Sequence, residues 1–273
     1  MVASSTLKKY EGKIEILKGL KINYLKHPQK LIEWFDNEKY SVSTRKLYLS
    51  AIKYFHPDTF PEVFQNEIYE LYQLQNERAE DQKLTPTQED NYIEWKDILK
   101  LQEKLADEPN KTKRLWLEYL VVSLYTLNAP VRVDYGEMKV FTTDEERSGN
   151  ELIMDEKPHF VFRNYKTAKT YGTIRVEVNP ELLDVILEWF GYLEDVPEYL
   201  LGKKYADSTL GNIIRNTFIN RLGRAVGASL LRHSYISYIY PTLNTLKEKK
   251  EIARRMLHST DLQEKYRVIN SND

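Results

Sequence analysis

No cysteine occurs among the 273 residues. Disulfide staples and thiolate metal sites are therefore excluded, and the composition suits a reducing compartment. No apolar run approaches the ~18 residues that a membrane span needs. The opening Met1-Val2-Ala3-Ser4-Ser5 lacks the apolar core of a secretory signal. Clusters of His and carboxylates with metal-ligand spacing are missing, and Asp144-Glu145-Glu146 reads as a solvated loop rather than a two-metal site. No internal repeat and no low-complexity tract interrupts the chain. Charged residues at 30% and hydrophobic residues at 41% describe a soluble protein with enough apolar side chains for a core. The length fits one large domain or two modest ones.

A net charge is almost missing as well, at −1 overall, but the balance is uneven. Residues 1–110 hold 16 Lys+Arg against 19 Asp+Glu, and residues 111–202 hold 11 against 16. Residues 203–273 hold 13 against 6, a surplus of +7. Phosphate neutralisation is local, so an acidic remainder does not exclude a nucleic-acid partner.

The first part reads as short amphipathic helices. Ile14, Ile16, Leu17 and Leu20 recur at near-helical spacing. His27-Pro28 breaks the chain, and Leu31, Ile32, Trp34 and Phe35 predict a second helix. Ser41 to Thr44 can cap a third, with Leu47, Tyr48, Ala51, Ile52 and Phe55 as its apolar stripe. A fourth runs from Phe64 to Leu74. The polar run from Asn76 to Lys83 reads as a connection between domains. Thr85-Pro86-Thr87-Gln88 then predicts a helix start, with Thr85 as N-cap, Pro86 at the first position and Gln88 completing a capping box. The spacing predicts an apolar helix over 113–127, ended near Asn128-Ala129-Pro130. Strand alternation follows at Phe160/Phe162 and at Ile174, Val176 and Val178, with further strands expected at 138–141 and 152–154. From Pro180 the pattern is helical again. The expected fold is mainly α with a small antiparallel β-sheet. Its parts are a helical N-terminal domain (1–78), a linker (79–84) and an α+β domain (85–273).

The chemistry-bearing residues concentrate late in the chain. Leu231-Arg232-His233-Ser234 is followed by Leu257-His258-Ser259 and then by Tyr266. Arg offers a planar fork of donors to phosphate oxygens. His hydrogen-bonds or moves protons near neutral pH, and Tyr can attack as an oxygen nucleophile and form a covalent intermediate. The bland alternatives are a helix-capping role for Arg132 and His258, a structural carboxylate beside Arg232, and solvated hairpin lysines at Lys166 and Lys169.

Together these segments resemble the tyrosine recombinase (phage-integrase-like) family. Ala129-Pro130-Val131-Arg132-Val133-Asp134-Tyr135 looks like the first-arginine segment of its viral and mobile-element members. Tyr165-Lys166-Thr167 resembles the β-hairpin lysine, and Leu231-Arg232-His233-Ser234 the second-arginine segment. Leu257-His258-Ser259 is similar to a Gly-His-Ser segment, with Leu257 in place of Gly. Ser43 to Leu49 is like a helix of the family's N-terminal core-binding domain. The resemblance implies catalytic roles for Arg132, Lys166, Arg232, His258 and Tyr266, with Lys169, Ser229 and His233 as further candidates. Tyr266 would attack the scissile phosphate, the two arginines would hold its oxygens, and Lys166 would protonate the departing 5′ oxygen. Asp134 would orient a neighbour. It also implies a 3′-phosphotyrosyl intermediate, no cofactor and no metal, and double-stranded DNA as partner. Self-association as a tetramer on synapsed DNA is expected, as is an intracellular location, in the cytoplasm or in the nucleus of a eukaryotic host.

Two features depart from the family. Ser229 stands where many members have a His three residues before the second Arg, and a hydroxyl cannot replace imidazole as a base. Seven residues follow Tyr266, too few for a long exchanged helix, so either subunit contacts are expected elsewhere or the chain end is not the native one. A type IB topoisomerase-like relaxing enzyme and a catalytically inactive DNA-binding relative remain as alternatives.

Overall fold

The computed structural model describes residues 4–268. The last five residues, on which the expectation about a C-terminal tail partly falls, lie outside the described residues. The chain divides into two compact units, Met1–Asp81 and Gln82–Asp273.

The first unit is four helices: α1 (Ser4–Gly19), α2 (Pro28–Asn37), α3 (Val42–Phe55) and α4 (Glu62–Glu80). Pro28 opens α2, where its missing N–H costs nothing. The Ser41 hydroxyl caps α3 by accepting from Thr44 N. Leu17, Leu31, Phe35, Tyr48, Leu49, Ile52, Phe64 and Leu71 form the core. Leu49, outside the stripe that the sequence predicted, is buried, whereas Phe55 is exposed. Ile16 is exposed too, since it lies off the Ile14–Leu17 face. Helix α4 continues to Glu80, through much of the polar run that the sequence suggested as a connection.

In the second unit, α5 (Pro86–Asn91) starts as predicted, with Thr85 and Gln88 in a reciprocal capping box. Then come α6 (Trp95–Asp107) and α7 (Lys113–Thr126). Strands β1 (Lys139–Phe141), β2 (Glu151–Ile153) and β3 (His159–Phe162) follow. After them come a one-turn α8 (Ala168–Tyr171), β4 (Ile174–Glu177), α9 (Pro180–Leu193) and α10 (Asp207–Leu222). Helices α11 (Ala228–Ile239), α12 (Leu246–Arg255) and α13 (Thr260–Glu264) end the described chain.

The four strands pair in chain order, β1-β2-β3-β4. The sheet is mixed: β2–β3 and β3–β4 are antiparallel, but β1 and β2 are parallel. The expectation of an antiparallel sheet is corrected at that pair. Residues 142–150 carry the chain back across the end of the sheet, so β2 leaves in the same direction as β1. Asp144 secures this crossover by accepting from Arg163 at 3.0 Å and from Arg175 at 2.7 Å. The hydrogen bond from Arg175 above all, then one from His159 and the charges of the two arginines, hold its carboxyl down to about 2.

The core of this unit is aromatic where it meets the candidate residues. Tyr125, Tyr135, Phe160 and Phe162 are buried and pack at ring separations of 5.4–6.0 Å. A smaller apolar cluster joins Ala129, Ile236, Tyr240 and Met256, with the Tyr266 ring packed on it. It draws together the turn after α7, helix α11 and the end of α12.

Candidate active site

Helix α11 is pinned before it presents anything. Ser234 is buried and donates to the Ile93 carbonyl at 2.7 Å. Arg232, two residues earlier, is 0% exposed. A buried guanidinium requires partners for its donors, and an anion is the usual one. Among the described residues no carboxylate bonds to it. Nη1 donates to the Tyr266 hydroxyl at 2.9 Å, Nη2 to His258 Nδ1 at 2.8 Å, and Nη2 also lies 3.4 Å from the Met256 carbonyl. Its Nε has no partner among the described residues. Burial, chiefly, and the nearby Arg132 charge lower its pKa to about 10, which still leaves it protonated at neutral pH.

His258 is placed by the way α12 ends. Leu257 N–H bonds to the Arg254 carbonyl and His258 N–H to the Ala253 carbonyl, the paired bonds of a Schellman motif. That motif needs a left-handed residue at Leu257, whose φ is 56°. His258 is 3% exposed. Arg can only donate, so Nδ1 of His258 is an acceptor and Nε2 carries the proton. This Nε2–H is buried and unpartnered. Burial first, then the charges of Arg232 and Arg132, push the pKa down to about 3. His258 is thus a neutral donor, not an imidazolium held by the helix dipole.

Arg132 sits in the turn after α7, between two buried anchors, Val131 and Tyr135. Its backbone is fixed on both sides: Tyr125 donates its hydroxyl to the Arg132 carbonyl, and Asp134 accepts from Arg132 N–H at 3.0 Å. The half-buried guanidinium makes no hydrogen bond or ion pair among the described residues. Asp134 therefore orients the Arg132 backbone, as the sequence suggested. Its own pKa is raised, by burial above all, against the opposing pull of Arg132 and Arg232.

Tyr266 follows α13, and its ring packs 5.6 Å from His258 and 4.7 Å from His233. The Arg232 guanidinium also lies over this ring, at 4.5 Å. Glu264 bonds to the Tyr240 hydroxyl, and Lys249 donates to the same hydroxyl at 2.6 Å. These contacts hold the short helix that carries Tyr266.

The other candidates lie farther out. Lys166 and Lys169 are exposed on the connection between β3 and β4, and neither bonds to Arg232, His258 or Tyr266 among the described residues. The connection itself is tied to the site, because Thr167 donates its hydroxyl to the Leu257 carbonyl at 3.0 Å. Ser229 is exposed in the first turn of α11. It lies one turn before Arg232, on the same side of the helix.

Two residues that the sequence did not single out organise this ground. Thr167 is one. Asn150 is the other: its amide donates to the carbonyls of Asp134 and Asn164 and accepts from the N–H of Arg163 and Asn164, at 2.8–3.0 Å. One side chain thus joins the Arg132 turn to the connection that bears Lys166. An asparagine beside a strand carries no periodic signal, so nothing local could have marked it.

The chemical character is that of an anion site. The buried side-chain nitrogens left without partners among the described residues are Asn128 Nδ2, Arg232 Nε, His258 Nε2 and Gln263 Nε2. Every one is a donor, and two belong to the Arg232–His258 pair. Native structures rarely leave buried donors unpaired without a ligand or water to meet them. Among the described residues no group of three or more His, Asp or Glu side chains could hold a metal ion. No helix there is long and apolar enough to cross a membrane.

No protein-family description matches the chain, and no curated protein sequence does. Among solved structures, a crystal structure of XerA recombinase resembles it with a TM-score of 0.47 and 15% identity, over 99% of this chain and 89% of that one. A likeness of that size assigns no residue and no activity.

Proposed function

We propose that this chain breaks and rejoins duplex DNA through a phosphotyrosyl intermediate, in the manner of a tyrosine recombinase. The observation that carries this reading is the placement of Tyr266. Its hydroxyl is 2.9 Å from a buried guanidinium that has no carboxylate partner among the described residues and that also holds a neutral His258. A nucleophilic oxygen and a set of unsatisfied cationic and neutral donors thus share one place.

In the proposed reaction Tyr266 Oη bonds to phosphorus, the P–O5′ bond breaks, and the phosphate stays on the 3′ side as a tyrosyl ester. The phenolic proton passes to water, since His258 Nδ1 already accepts from Arg232. The 5′ oxygen takes a proton from Lys166, which the Thr167–Leu257 bond keeps near the site. Arg232, the free Arg132 guanidinium and His258 Nε2–H supply donors to the non-bridging oxygens. Such preorganised stabilisation of developing charge is commonly the largest catalytic contribution. Attack of a 5′ hydroxyl from another strand reverses the step. In the DNA-free protein the Tyr266 hydroxyl takes the Arg232 donor that a phosphate oxygen would take. The partner is double-stranded DNA, inside the cell, and the protein assembles on paired sites. Assignment to a viral or mobile-element type rests on the sequence of 129–135 alone.

Incubation with nicked suicide duplexes, followed by denaturing electrophoresis, tests the reading. A covalent protein–DNA species is expected with wild-type protein, in the presence of a chelator, and none with Tyr266→Phe. A wild-type protein that binds duplex without forming adduct would favour a second reading, a DNA-binding relative without activity. The exposed Ser229, in place of the imidazole of many relatives, speaks for that alternative.

A further inference from the structure

We infer that His233 and Ser237 are positioning residues, which fix the reactive tyrosine by gripping the backbone around it rather than its hydroxyl. The inference rests on the reading of Tyr266 as nucleophile.

The two residues lie four apart on α11, so they share one face. His233 Nδ1 is 2.9 Å from the Tyr266 carbonyl, and a carbonyl only accepts, so Nδ1 carries the proton. Ser237 Oγ accepts from Val268 N–H at 2.8 Å and donates to the His233 carbonyl at 2.8 Å. The main chain at the tyrosine and just after it is thereby laid against one helix. The imidazole also meets the Tyr266 ring edge-on, at 4.7 Å and 67°. Burial keeps it neutral, with its pKa pushed down to about 4. Arg232, the neighbour of His233 on the same helix, takes the hydroxyl. Adjacent helical positions point about 100° apart, which is why one can hold the main chain while the other holds the side chain. Segment 266–268 comes after a helix of a single turn and has no regular structure of its own. Beyond the turn bonds from Tyr266 N–H to the Gln263 carbonyl and from Arg267 N–H to the Glu264 carbonyl, it is held by these tertiary bonds.

The test separates a hydrogen bond from simple packing. His233→Asn keeps a donor near Nδ1, whereas His233→Leu keeps bulk and loses the donor. Two quantities are read: the amide exchange rate of the peptide holding 264–268, and the single-turnover rate of adduct formation at saturating DNA. With Leu, exchange is expected to accelerate and the cleavage rate to fall by about 10²-fold, the cost of a misplacement on the order of 1 Å. DNA affinity stays the same. Asn is expected to restore most of both. Wild-type exchange in the Leu variant overturns the inference, and so does equal damage by Leu and Asn, which would mean that ring packing is what matters. If wild-type protein forms no adduct, the proposed reaction fails, and the exchange arm still decides whether the grip exists. Should the Leu variant not fold, Ser237→Ala carries the same test, since it removes the acceptor for Val268 N–H.

Discussion

Arg232 and Tyr266 are 34 residues apart in sequence, yet a guanidinium N–H of the first donates to the hydroxyl of the second at 2.9 Å, and the same guanidinium covers its ring. The cation is fully buried, and among the described residues no carboxylate bonds to it. Such a charge is unfavourable for folding and becomes favourable when an anion arrives.

Stability and activity are therefore expected to move in opposite directions at Arg232. Replacing buried charge by an apolar side chain of similar volume is often neutral, or stabilising by about 1–4 kcal/mol. Arg232→Met is expected to melt at or above the wild-type temperature and to lose about 10²–10³ in cleavage rate, as when one oxyanion donor is removed. Thermal melts and suicide-substrate assays on the same preparations check both. A variant that melts well below wild type would show that Arg232 stabilises the fold.

Leu257 poses a contest of magnitudes. Its left-handed backbone, φ 56°, costs roughly 1–2 kcal/mol for a residue with a side chain. Its side chain is fully buried in the core of the second unit, and deleting such a leucine costs roughly 2–5 kcal/mol. Burial wins. Leu257→Gly is expected to relax the turn and still destabilise by roughly 1–3 kcal/mol, measured by denaturant unfolding. A stabilised glycine variant would mean that backbone strain dominates.

Acid is expected to weaken the fold through two histidines. His233 and His258 have folded pKa values lowered to about 4 and about 3 by burial. Above pH 6.5 both are neutral in either state and contribute no pH dependence. As pH falls below 6.5 the unfolded chain takes up protons that the folded chain refuses. Stability is then lost by up to about 1.4 kcal/mol per pH unit for each group, until the folded pKa is reached. Unfolding at several pH values, in wild type and in His258→Asn, reads this. An identical slope in the two proteins would place the histidine's titration elsewhere.

Ser229 is exposed, so Ser229→His is expected to change stability by no more than about 0.5 kcal/mol. Its position one turn before Arg232 is expected to give the added imidazole access to the phosphate. Adduct formation then accelerates between pH 6 and 8, by up to about 10²-fold. Superimposable pH–rate profiles would remove this position from the site.

Local signals gave the elements that the sequence made legible. The Thr85–Gln88 capping box needs only four neighbouring residues and forms as read. The alternation at Ile174/Val176 marks a strand because one side of it is buried, and Phe160/Phe162 lie in a strand buried on both faces. The direction of β1 against β2 was not legible, because pairing depends on where the crossover at 142–150 returns, and Asp144 fixes that through residues 19 and 31 positions away. Arg232, His258 and Tyr266 were visible as residue types in a suggestive order. That the guanidinium joins the other two was not visible, nor were Asn150 and Thr167, whose bonds cross from one segment to another.

The sequence alone determined most of the helices, the strand segments, the absence of thiol chemistry and the identity of the candidate side chains, because these depend on neighbours a few residues away. The tertiary structure decided which of those side chains meet. Arg232 is enclosed by the segment after α12 and by the Tyr266 segment, and His258 is kept neutral first by burial and then by the charges of Arg232 and Arg132, which lie far from it in sequence. Burial and proximity of charge belong to the packed chain, and they set the protonation and orientation on which the chemistry depends.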